Sequence, residues 1–422
     1  MDFVKKNLSS GLRVIAVPMK NTNTVTLLVL VGTGSRYETR NINGISHFLE
    51  HMFFKGTKHY PDAGELNKRT DAIGAIHNAF TSREETGYWV KAHAKHFTTV
   101  LTFVADILQN SLIKKEEVEK ERGVILEEMK MFWDTPRSYI WYVFERLLYG
   151  DQPAGWDTIG TAESLKKLKR PHLVQYWDHQ YGARNTVVIV AGNISAATIF
   201  RSVDDAFSQV RKGLSKKELK IKKSKKGPTV YIHEKKTDQT HLVLGAKGFS
   251  LSHRDRFVAE VLATILGGYM SSRLFMEIRE RRGLAYTVAA SHQAYRQDGY
   301  FAVYAGIPHS SLGRVPQIIV REFKRIVNTG VRREELQRAK ENIRGHLAIA
   351  LESTDEVAQY FGMQELLLGK ILAPAKVMER IDRIREDDIK RVARKMFHPE
   401  NYYLALIGPG SPPGADLQKL LH

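Results

Sequence analysis

Two histidines and a glutamate lie close together in the segment from Gly44 to Thr57. The apolar residues of this segment recur at the spacing of an amphipathic helix, namely Ile45, Phe48, Leu49, Met52 and Phe53. On such a helix His47 and His51 project from one face, where their imidazoles can bind one metal ion. Glu50 shares that face closely enough to hold a water on the metal and accept its proton.

A histidine pair at this spacing also occurs on helices that bind no metal. Here the helix is otherwise apolar, so two imidazoles and a carboxylate would be costly to bury without a partner. The chain contains no Cys, which excludes disulfides and thiolate ligands, and any zinc site must therefore use His, Asp or Glu. The order H-x-x-E-H is the one found in the inverzincins.

A third ligand has to come from another element, and the acidic helix predicted over Lys115 to Trp133 offers several carboxylates. Glu121 and Glu128 are two turns apart and stack on one face, whereas Glu127 points about 100° away. Periodicity alone does not favour Glu128 over Glu117 or Glu121.

A hairpin is predicted soon after the metal motif, with strands over Ala75 to Thr81 and Thr86 to Ala92. It is either a plain structural hairpin or an exposed edge that accepts an extended peptide as an extra strand. In the second case the edge strand would bind substrate, and Phe80 would offer an apolar subsite.

The length and composition of the chain restrict its class. With 422 residues it is too long for one core of usual size, and 43% hydrophobic and 26% charged residues are typical of a globular protein. The N-terminus leads into a strand-like segment without a signal core, and no stretch is apolar for long enough to cross a bilayer. We therefore expect a cytoplasmic protein that does not bind membranes, although a mature organellar form without its presequence would show the same pattern.

The formal charge of +18 raises the possibility of nucleic-acid binding. Much of the excess lies in one run, opposed only by Glu218: Arg211, Lys212, Lys216, Lys217, Lys220, Lys222, Lys223, Lys225 and Lys226. No aromatic residues are interleaved with these charges, so the run is interpreted as a solvated linker and no nucleic-acid partner is expected.

The two halves of the chain show the same succession of elements. Leu12 to Pro18 and Thr24 to Gly32 alternate like paired strands, and the end of the second resembles the glycine-terminated segment Thr240 to Gly248. Each half also closes with a helix, a buried strand and a glycine. This pattern predicts a duplicated α+β domain, each copy with a mainly antiparallel sheet packed with helices.

The predicted domains follow from this duplication. Residues 1–212 form a domain that carries the metal motif, 213–228 form the basic linker, and 229–422 form the second copy. The helix in the second copy that corresponds to the motif helix carries arginines in place of the metal motif.

Over nearly its whole length the sequence resembles the pitrilysin and mitochondrial processing peptidase family of zinc metallopeptidases. That family combines H-x-x-E-H with a distant glutamate, and the interval between His51 and Glu128 fits its pattern. The resemblance implies that His47, His51 and Glu128 bind one zinc ion per chain. It further implies that Glu50 is the general base and that Glu121 is an acidic residue supporting the site. The strand from Asn78 through Ala79 and Phe80 to Thr81 also resembles the substrate-binding strand of the family.

The resemblance extends to the second half, where Arg279 and Tyr286 match an arginine and tyrosine pair of the family. It implies that Tyr286 donates a hydrogen bond to the oxyanion and that Arg279 orients the substrate. Since short family members often divide these parts between two subunits and this chain keeps both, the expected assembly is a homodimer. Each protomer would supply its pair to the zinc of the other.

The function expected from this resemblance is zinc-dependent hydrolysis of peptides or unfolded protein segments inside a closed dimer chamber. A non-catalytic assembly subunit of the same fold is the alternative. Such subunits usually lack a ligand or the base, and this sequence retains the full set.

Overall fold

The computed structural model of the protein describes residues 1–213, 218–222, 229–410 and 417–421. It divides into two compact units, and each is assembled from three segments of the chain. The first unit comprises Met1–Met129, Trp156–Leu219 and Ala348–Ala373. The second comprises Lys130–Gly155, Lys220–Leu347 and Pro374–His422. Residues 214–217 and 223–228 of the predicted basic linker lie outside the described residues.

The helices are grouped between the strands and do not alternate with them one by one. They are α1 (Ile45–Met52), α2 (Ala63–Asp71), α3 (Phe97–Asn110), α4 (Lys115–Trp133), α5 (Pro136–Tyr149), α6 (Ala162–Lys167), α7 (Arg170–Gln180), α8 (Ala196–Ala206), α9 (Arg256–Gly267), α10 (Val315–Thr329), α11 (Arg333–Ala350), α12 (Thr354–Leu368), α13 (Pro374–Asp382) and α14 (Glu386–Met396). Among the described residues, no helix has the length and apolar character needed to span a membrane.

The first unit is built on a six-stranded sheet. Its strands are β1 (Val4–Asn7), β2 (Arg13–Pro18), β3 (Thr24–Val31), β4 (Ile76–Thr81), β5 (Thr86–His93) and β6 (Thr186–Gly192). Their order is β1-β2-β6-β3-β5-β4, so β4 forms one edge. The β2/β6 pair is parallel and the other neighbours are antiparallel.

The prediction that the segments now seen as β2 and β3 pair with each other is wrong. The buried strand β6 lies between them, parallel to β2 and antiparallel to β3. Each residue of β6 is buried, so the centre of the sheet is the favourable place for it. A strand-like pattern in the sequence identified the two strands but not their neighbours.

The second unit contains a five-stranded sheet. Its strands are β7 (Thr229–Glu234), β8 (Thr240–Lys247), β9 (Thr287–Ala294), β10 (Gly299–Ile307) and β11 (Tyr402–Gly408). The order β7-β11-β8-β10-β9 repeats that of β2-β6-β3-β5-β4 in the first unit. The one parallel pair, β7 with β11, also corresponds to β2 with β6. The two sheets are therefore copies of one α+β arrangement, as the duplication predicted.

Each sheet is covered on one face by a helix that the predicted domain ranges assigned to the other half of the chain. Helix α12 packs on β3 and β6 through Val357, Ala358 and Phe361. Helix α5 packs on β8 and β11, with Ile140 and Phe144 fully buried. The compact units thus differ from the continuous ranges 1–212 and 229–422. Residues 130–155 belong to the second unit, and residues 348–373 belong to the first. Three-dimensional apolar packing decides this exchange, and sequence order does not reveal it.

Candidate metal centre

Helix α1 begins at a position that only glycine can occupy without strain. Gly44 has φ of 92°, in the left-handed region. A Cβ at this position would lie 2.6 Å from the main-chain oxygen of Ile159. The helix then buries Phe48 and Leu49 completely, and leaves His47 half-buried on its other side.

A buried carboxylate fixes the first turn of α1. Glu38 Oε2 accepts hydrogen bonds from Gly44 N at 2.8 Å and from Asn43 Nδ2 at 2.9 Å, and its Oε1 accepts one from Ser46 N at 3.0 Å. These contacts satisfy main-chain donors that have no partner within the helix. A negative charge at a helix N-terminus is also favourable for the helix dipole. Glu38 therefore sets the orientation from which the metal motif projects.

The side chains of His47, His51 and Glu128 converge. The two Nε2 atoms are 3.3 Å apart, His51 Nε2 lies 3.4 Å from Glu128 Oε2, and His47 Nε2 lies 3.8 Å from the same oxygen. Of the carboxylates that the sequence left open, the one on Glu128 completes this group. Glu127 is exposed, as its predicted direction on α4 requires.

The triangle of ligand atoms fits a zinc ion. Zinc bonds of about 2.0–2.2 Å to nitrogen and oxygen, in a tetrahedron, separate neighbouring ligand atoms by roughly 3.3–3.5 Å. Two of the three edges match this range, and the third is only slightly longer. Glu128 Oε2 is buried and receives no hydrogen bond from the described residues, so a cation would satisfy it. Two imidazoles and a carboxylate are a ligand set found in catalytic zinc sites, which keep a fourth position open.

A second carboxylate of α4, that of Glu121, contacts the His51 ring nitrogen Nδ1, which faces away from Glu128. Glu121 Oε1 lies 2.9 Å from His51 Nδ1, and Lys55 Nζ lies 2.7 Å from Glu121 Oε2. The contact directs His51 Nε2 toward Glu128, since a hydrogen bond from Nδ1 fixes both the tautomer and the ring orientation. Glu121 is nearly fully buried, whereas Glu128 is partly exposed.

Burial and neighbouring charge shift the pKa values of the group in different directions. Burial and, to a smaller extent, the nearby charge of His51 together lower the pKa of His47 to about 4. Burial also disfavours the charged form of His51, but the carboxylates of Glu121 and Glu128 outweigh it and raise its pKa to about 9. For Glu50, burial raises the pKa to about 6. Ionisable groups shifted this far are typical of functional sites.

The edge strand β4 runs beside the motif helix. The Thr81 hydroxyl donates a hydrogen bond to Glu50 Oε2, and the His77 ring stacks on Phe54 with centroids 6.0 Å apart. Side chains alternate along a strand, so Ala79 shares this face. In the described part of the chain β4 pairs only with β5, and its other edge is open.

The idea that Phe80 offers an apolar subsite beside the metal motif is wrong. Its side chain belongs to the opposite face of the sheet, where it packs with Leu28, Leu30 and their apolar neighbours. It also fills the space above Gly87, where an added Cβ would lie 2.3 Å from its ring. The alternation of the strand sends Thr81 toward Glu50 and therefore turns Phe80 away.

Asn78 also lies on that opposite face, and its side-chain oxygen accepts a hydrogen bond from Ala79 N at 2.9 Å. The Ala79 N–H group thus points to the open edge of β4. A cavity of about 240 Å³ separates this strand from the candidate metal centre. It is lined by Glu50, His51, Phe54, Lys55, His77, Asn78, Ala79 and Glu121.

Comparison with protein families agrees with this geometry. The family model "Insulinase (Peptidase family M16)" matches residues 13–161, and the model "Peptidase M16 inactive domain" matches residues 167–343. The chain belongs to peptidase family M16. The first match contains the metal motif, and the second contains Arg279 and Tyr286.

Relatives within family M16 match almost the full chain. The uncharacterized zinc protease YmxG of Bacillus subtilis is 36% identical over 95% of this chain and 97% of its own. An uncharacterized zinc protease of Rickettsia bellii is 34% identical over 98% of this chain and 99% of its own. A protease structure from Helicobacter pylori has the same fold, with a TM-score of 0.89 and 23% identity over 97% of this chain and 99% of that one.

In this M16 chain, Arg279 and Tyr286 contact each other in the second unit. Arg279 donates a hydrogen bond to the main-chain oxygen of Tyr286 at 2.8 Å, and its guanidinium lies 4.7 Å from the Tyr286 ring centroid. Arg279 lies in a π-helical segment, Phe275–Glu280. The Tyr286 side chain is 75% exposed, unlike the mostly buried tyrosines of the core. Arg279 and Tyr286 therefore hold each other in place, and the Tyr286 phenol is exposed on the surface of the unit.

Sequence reasoning missed Glu38 and Lys55 as members of the M16 site, and it missed the contact of Thr81 with Glu50. Lys55 lies four residues after His51, so its position in the sequence already indicated that it is close to the metal motif. Thr81 ends a predicted strand on the face opposite Phe80, which also indicated its direction. For Glu38 the sequence offers no comparable signal, because its contacts depend on how the loop before α1 folds.

Proposed function

We propose that this M16 protein is a zinc-dependent endopeptidase that hydrolyses peptides or unfolded protein segments. The observation that carries the proposal is the convergence of His47, His51 and Glu128, with Glu50 on the same helix. In this proposal the three converging residues hold one zinc ion per chain. Homology to proteins named zinc proteases supports it.

The proposed mechanism is direct hydrolysis without a covalent intermediate. When bound, zinc would polarise the scissile carbonyl and lower the pKa of a coordinated water. Glu50 would accept the proton of the attacking water and deliver it to the leaving amine. Burial raises the pKa of the Glu50 carboxyl to about 6, close to neutral pH. Such a pKa suits a group that must both accept and donate a proton. Glu121 would position His51 and does not need to contact the substrate.

The proposed substrate-binding mode is strand addition on β4. The open edge of this strand borders the cavity beside Glu50, and Ala79 N–H points outward from it. An extended peptide can pair with such an edge through its main chain. Folded proteins lack free strands of this kind, so unfolded segments are the favoured substrates. Asn78 and Phe80 would then contribute through their main-chain groups.

We further propose that the active form is a closed homodimer. In this assembly Tyr286 of one protomer would stabilise the oxyanion formed at the metal centre of its partner, and Arg279 would orient the peptide. The exposure of the Tyr286 phenol and its contact with Arg279 support a role for the pair. An oxyanion donor of this kind contributes roughly 2.7–4 kcal/mol to transition-state stabilisation.

The assembly can be tested by mixing two inactive variants, Glu50→Gln and Tyr286→Phe. If the pair acts in trans, the mixed dimer contains one intact site, and part of the activity returns. Either variant alone remains inactive. A monomer in analytical ultracentrifugation, or a mixture as inactive as its components, would contradict the homodimer.

The second candidate function is a non-catalytic assembly subunit. The family-model name for residues 167–343, an inactive domain, is compatible with it, but that region does not contain the proposed zinc ligands. The full set of ligands and Glu50 favours the enzyme. A protein that binds zinc but does not cleave any unfolded peptide would favour the subunit.

The decisive experiment measures zinc and hydrolysis together. We expect about one zinc per purified chain by mass spectrometry, cleavage of an internally quenched unfolded peptide, and loss of cleavage with a chelator. Glu50→Gln should retain zinc and lose cleavage, whereas Glu127→Gln, an exposed neighbour on α4, should behave as wild type. Normal cleavage by Glu50→Gln would overturn the mechanism.

A further inference from the structure

The last residue of the edge strand contacts the proposed general base. The Thr81 hydroxyl donates a hydrogen bond to Glu50 Oε2. Among the described residues it is the only hydrogen bond to the Glu50 carboxylate, and Oε1 has none. One oxygen is therefore anchored, while the other stays available to exchange a proton.

The backbone around Thr81 fixes the direction of its hydroxyl. Thr81 pairs with Thr86 at the end of the β4/β5 ladder, and the turn is closed by a hydrogen bond from Ser82 N to Glu85 O at 2.8 Å. The Thr86 hydroxyl in turn donates to Thr33 O at 3.0 Å, which ties the hairpin to the chain beyond β3. A β-branched side chain on such a strand has few rotamers. Little entropy is then lost in holding the hydrogen bond to Glu50.

The same strand carries the open edge proposed to bind peptide. Ala79, whose N–H points to that edge, is two residues before Thr81. A peptide that pairs with β4 would restrain the strand as far as its end. That restraint would reach Glu50 directly through the Thr81 hydroxyl.

We propose that Thr81 is a positioning residue that orients the Glu50 carboxylate. Through this residue, a peptide docked on β4 restrains the orientation of the proposed general base. This inference rests on the proposed function, because it requires Glu50 to transfer a proton. A purely structural threonine would contribute only to stability. A positioning threonine instead acts on the chemical step, since misalignment of a base slows proton transfer without weakening substrate binding.

The test compares Thr81→Val, which keeps the shape but removes the hydroxyl, with Thr81→Ser, which keeps the hydroxyl. For Thr81→Val we expect kcat to fall at least tenfold, with KM and zinc content within twofold of wild type. Thr81→Ser should stay within threefold of wild type in kcat. Unfolding curves of all three proteins verify that the fold is retained.

A second readout does not depend on turnover. In the inactive Glu50→Gln background, adding Thr81→Val should leave the Kd for a fluorescent peptide within twofold, as measured by anisotropy. A kcat for Thr81→Val equal to wild type, a loss confined to KM or peptide Kd, or failure of serine to rescue would each overturn the inference while the peptidase function stands. If wild type neither holds zinc nor cleaves peptide, the proposed function fails, and the inference fails with it.

Discussion

Lys55 and Glu121 form an ion pair behind the candidate metal centre, with Lys55 Nζ 2.7 Å from Glu121 Oε2. The other oxygen of Glu121 contacts His51 Nδ1, the ring nitrogen that does not face Glu128. The lysine offsets the cost of a nearly buried carboxylate, because an unpaired charge in this environment would be strongly unfavourable. The arrangement links the loop after α1, the middle of α4 and a proposed ligand.

Glu121→Gln is expected to weaken zinc binding about 10–100-fold, the usual cost of losing a partner behind a metal ligand. The amide can no longer hold the imidazole with a charge-assisted hydrogen bond, and Lys55 loses its counterion. Competition with a fluorescent zinc chelator measures the affinity. Glu117→Gln on the same helix is the control, since Glu117 pairs with the exposed Lys120 at 3.7 Å. Equal zinc affinities in the two variants would contradict a supporting role for Glu121.

Gly44→Ala is expected to destabilise the first unit more than Gly74→Ala. Both glycines have positive φ, 92° and 61°, so alanine is strained at each by about 1–2 kcal/mol. At Gly44 the new Cβ would also meet Ile159 O at 2.6 Å, whereas at Gly74 nothing lies within 4 Å. Urea unfolding of the metal-free proteins gives the two free energies. Equal losses would show that the loop before α1 adapts to the extra carbon.

Much of the local structure was predictable from the sequence. The predicted range Lys115–Trp133 agrees with α4, because this helix follows a polar start and keeps a helical apolar period. The histidine pair of the candidate metal centre was also predictable, because His47 and His51 lie four residues apart and share one helix face.

The parts that failed depend on contacts between distant segments. Strand alternation separated Phe80 from Thr81 but did not say which face meets α1. Likewise, the exchange of α5 and α12 between the halves follows from apolar packing on each sheet. The hydrogen bonds of Glu38 to the start of α1 have no sequence pattern at all. Local periodicity therefore indicated the elements and the two histidines, and the family resemblance indicated Glu128 and Glu121. The other supporting residues required the fold.

Asp255→Asn is expected to destabilise the second unit more at neutral pH than at pH 3. Burial alone would raise the pKa of Asp255, but contacts from Arg391 and Lys395 lower it to about 2, below the unfolded value of about 3.9. The folded state therefore gains stability that is complete above pH 4 and disappears as pH falls toward 2. With both cations partly exposed, the gain is about 1–2 kcal/mol.

Urea unfolding of wild type and Asp255→Asn at pH 7 and at pH 3 measures this effect. The difference between the two proteins should shrink at the lower pH, where Asp255 is largely protonated in the unfolded chain but still mostly ionised in the folded protein. A difference that stays constant between the two pH values would mean that packing, not charge, accounts for the loss.

Ala79→Pro is expected to weaken peptide docking while the metal centre stays intact. Ala79 N–H bonds to the Asn78 side chain and not to β5, so proline removes a donor that the sheet does not use. A peptide added to the edge would lose a main-chain hydrogen bond and meet the proline ring, which should raise its Kd at least tenfold. Anisotropy of a labelled peptide on the Glu50→Gln background gives the Kd, and zinc content verifies the site. Ala79→Ser, which retains the N–H, should bind as the parent does. Equal Kd values for the proline and serine variants would rule out strand addition at this edge.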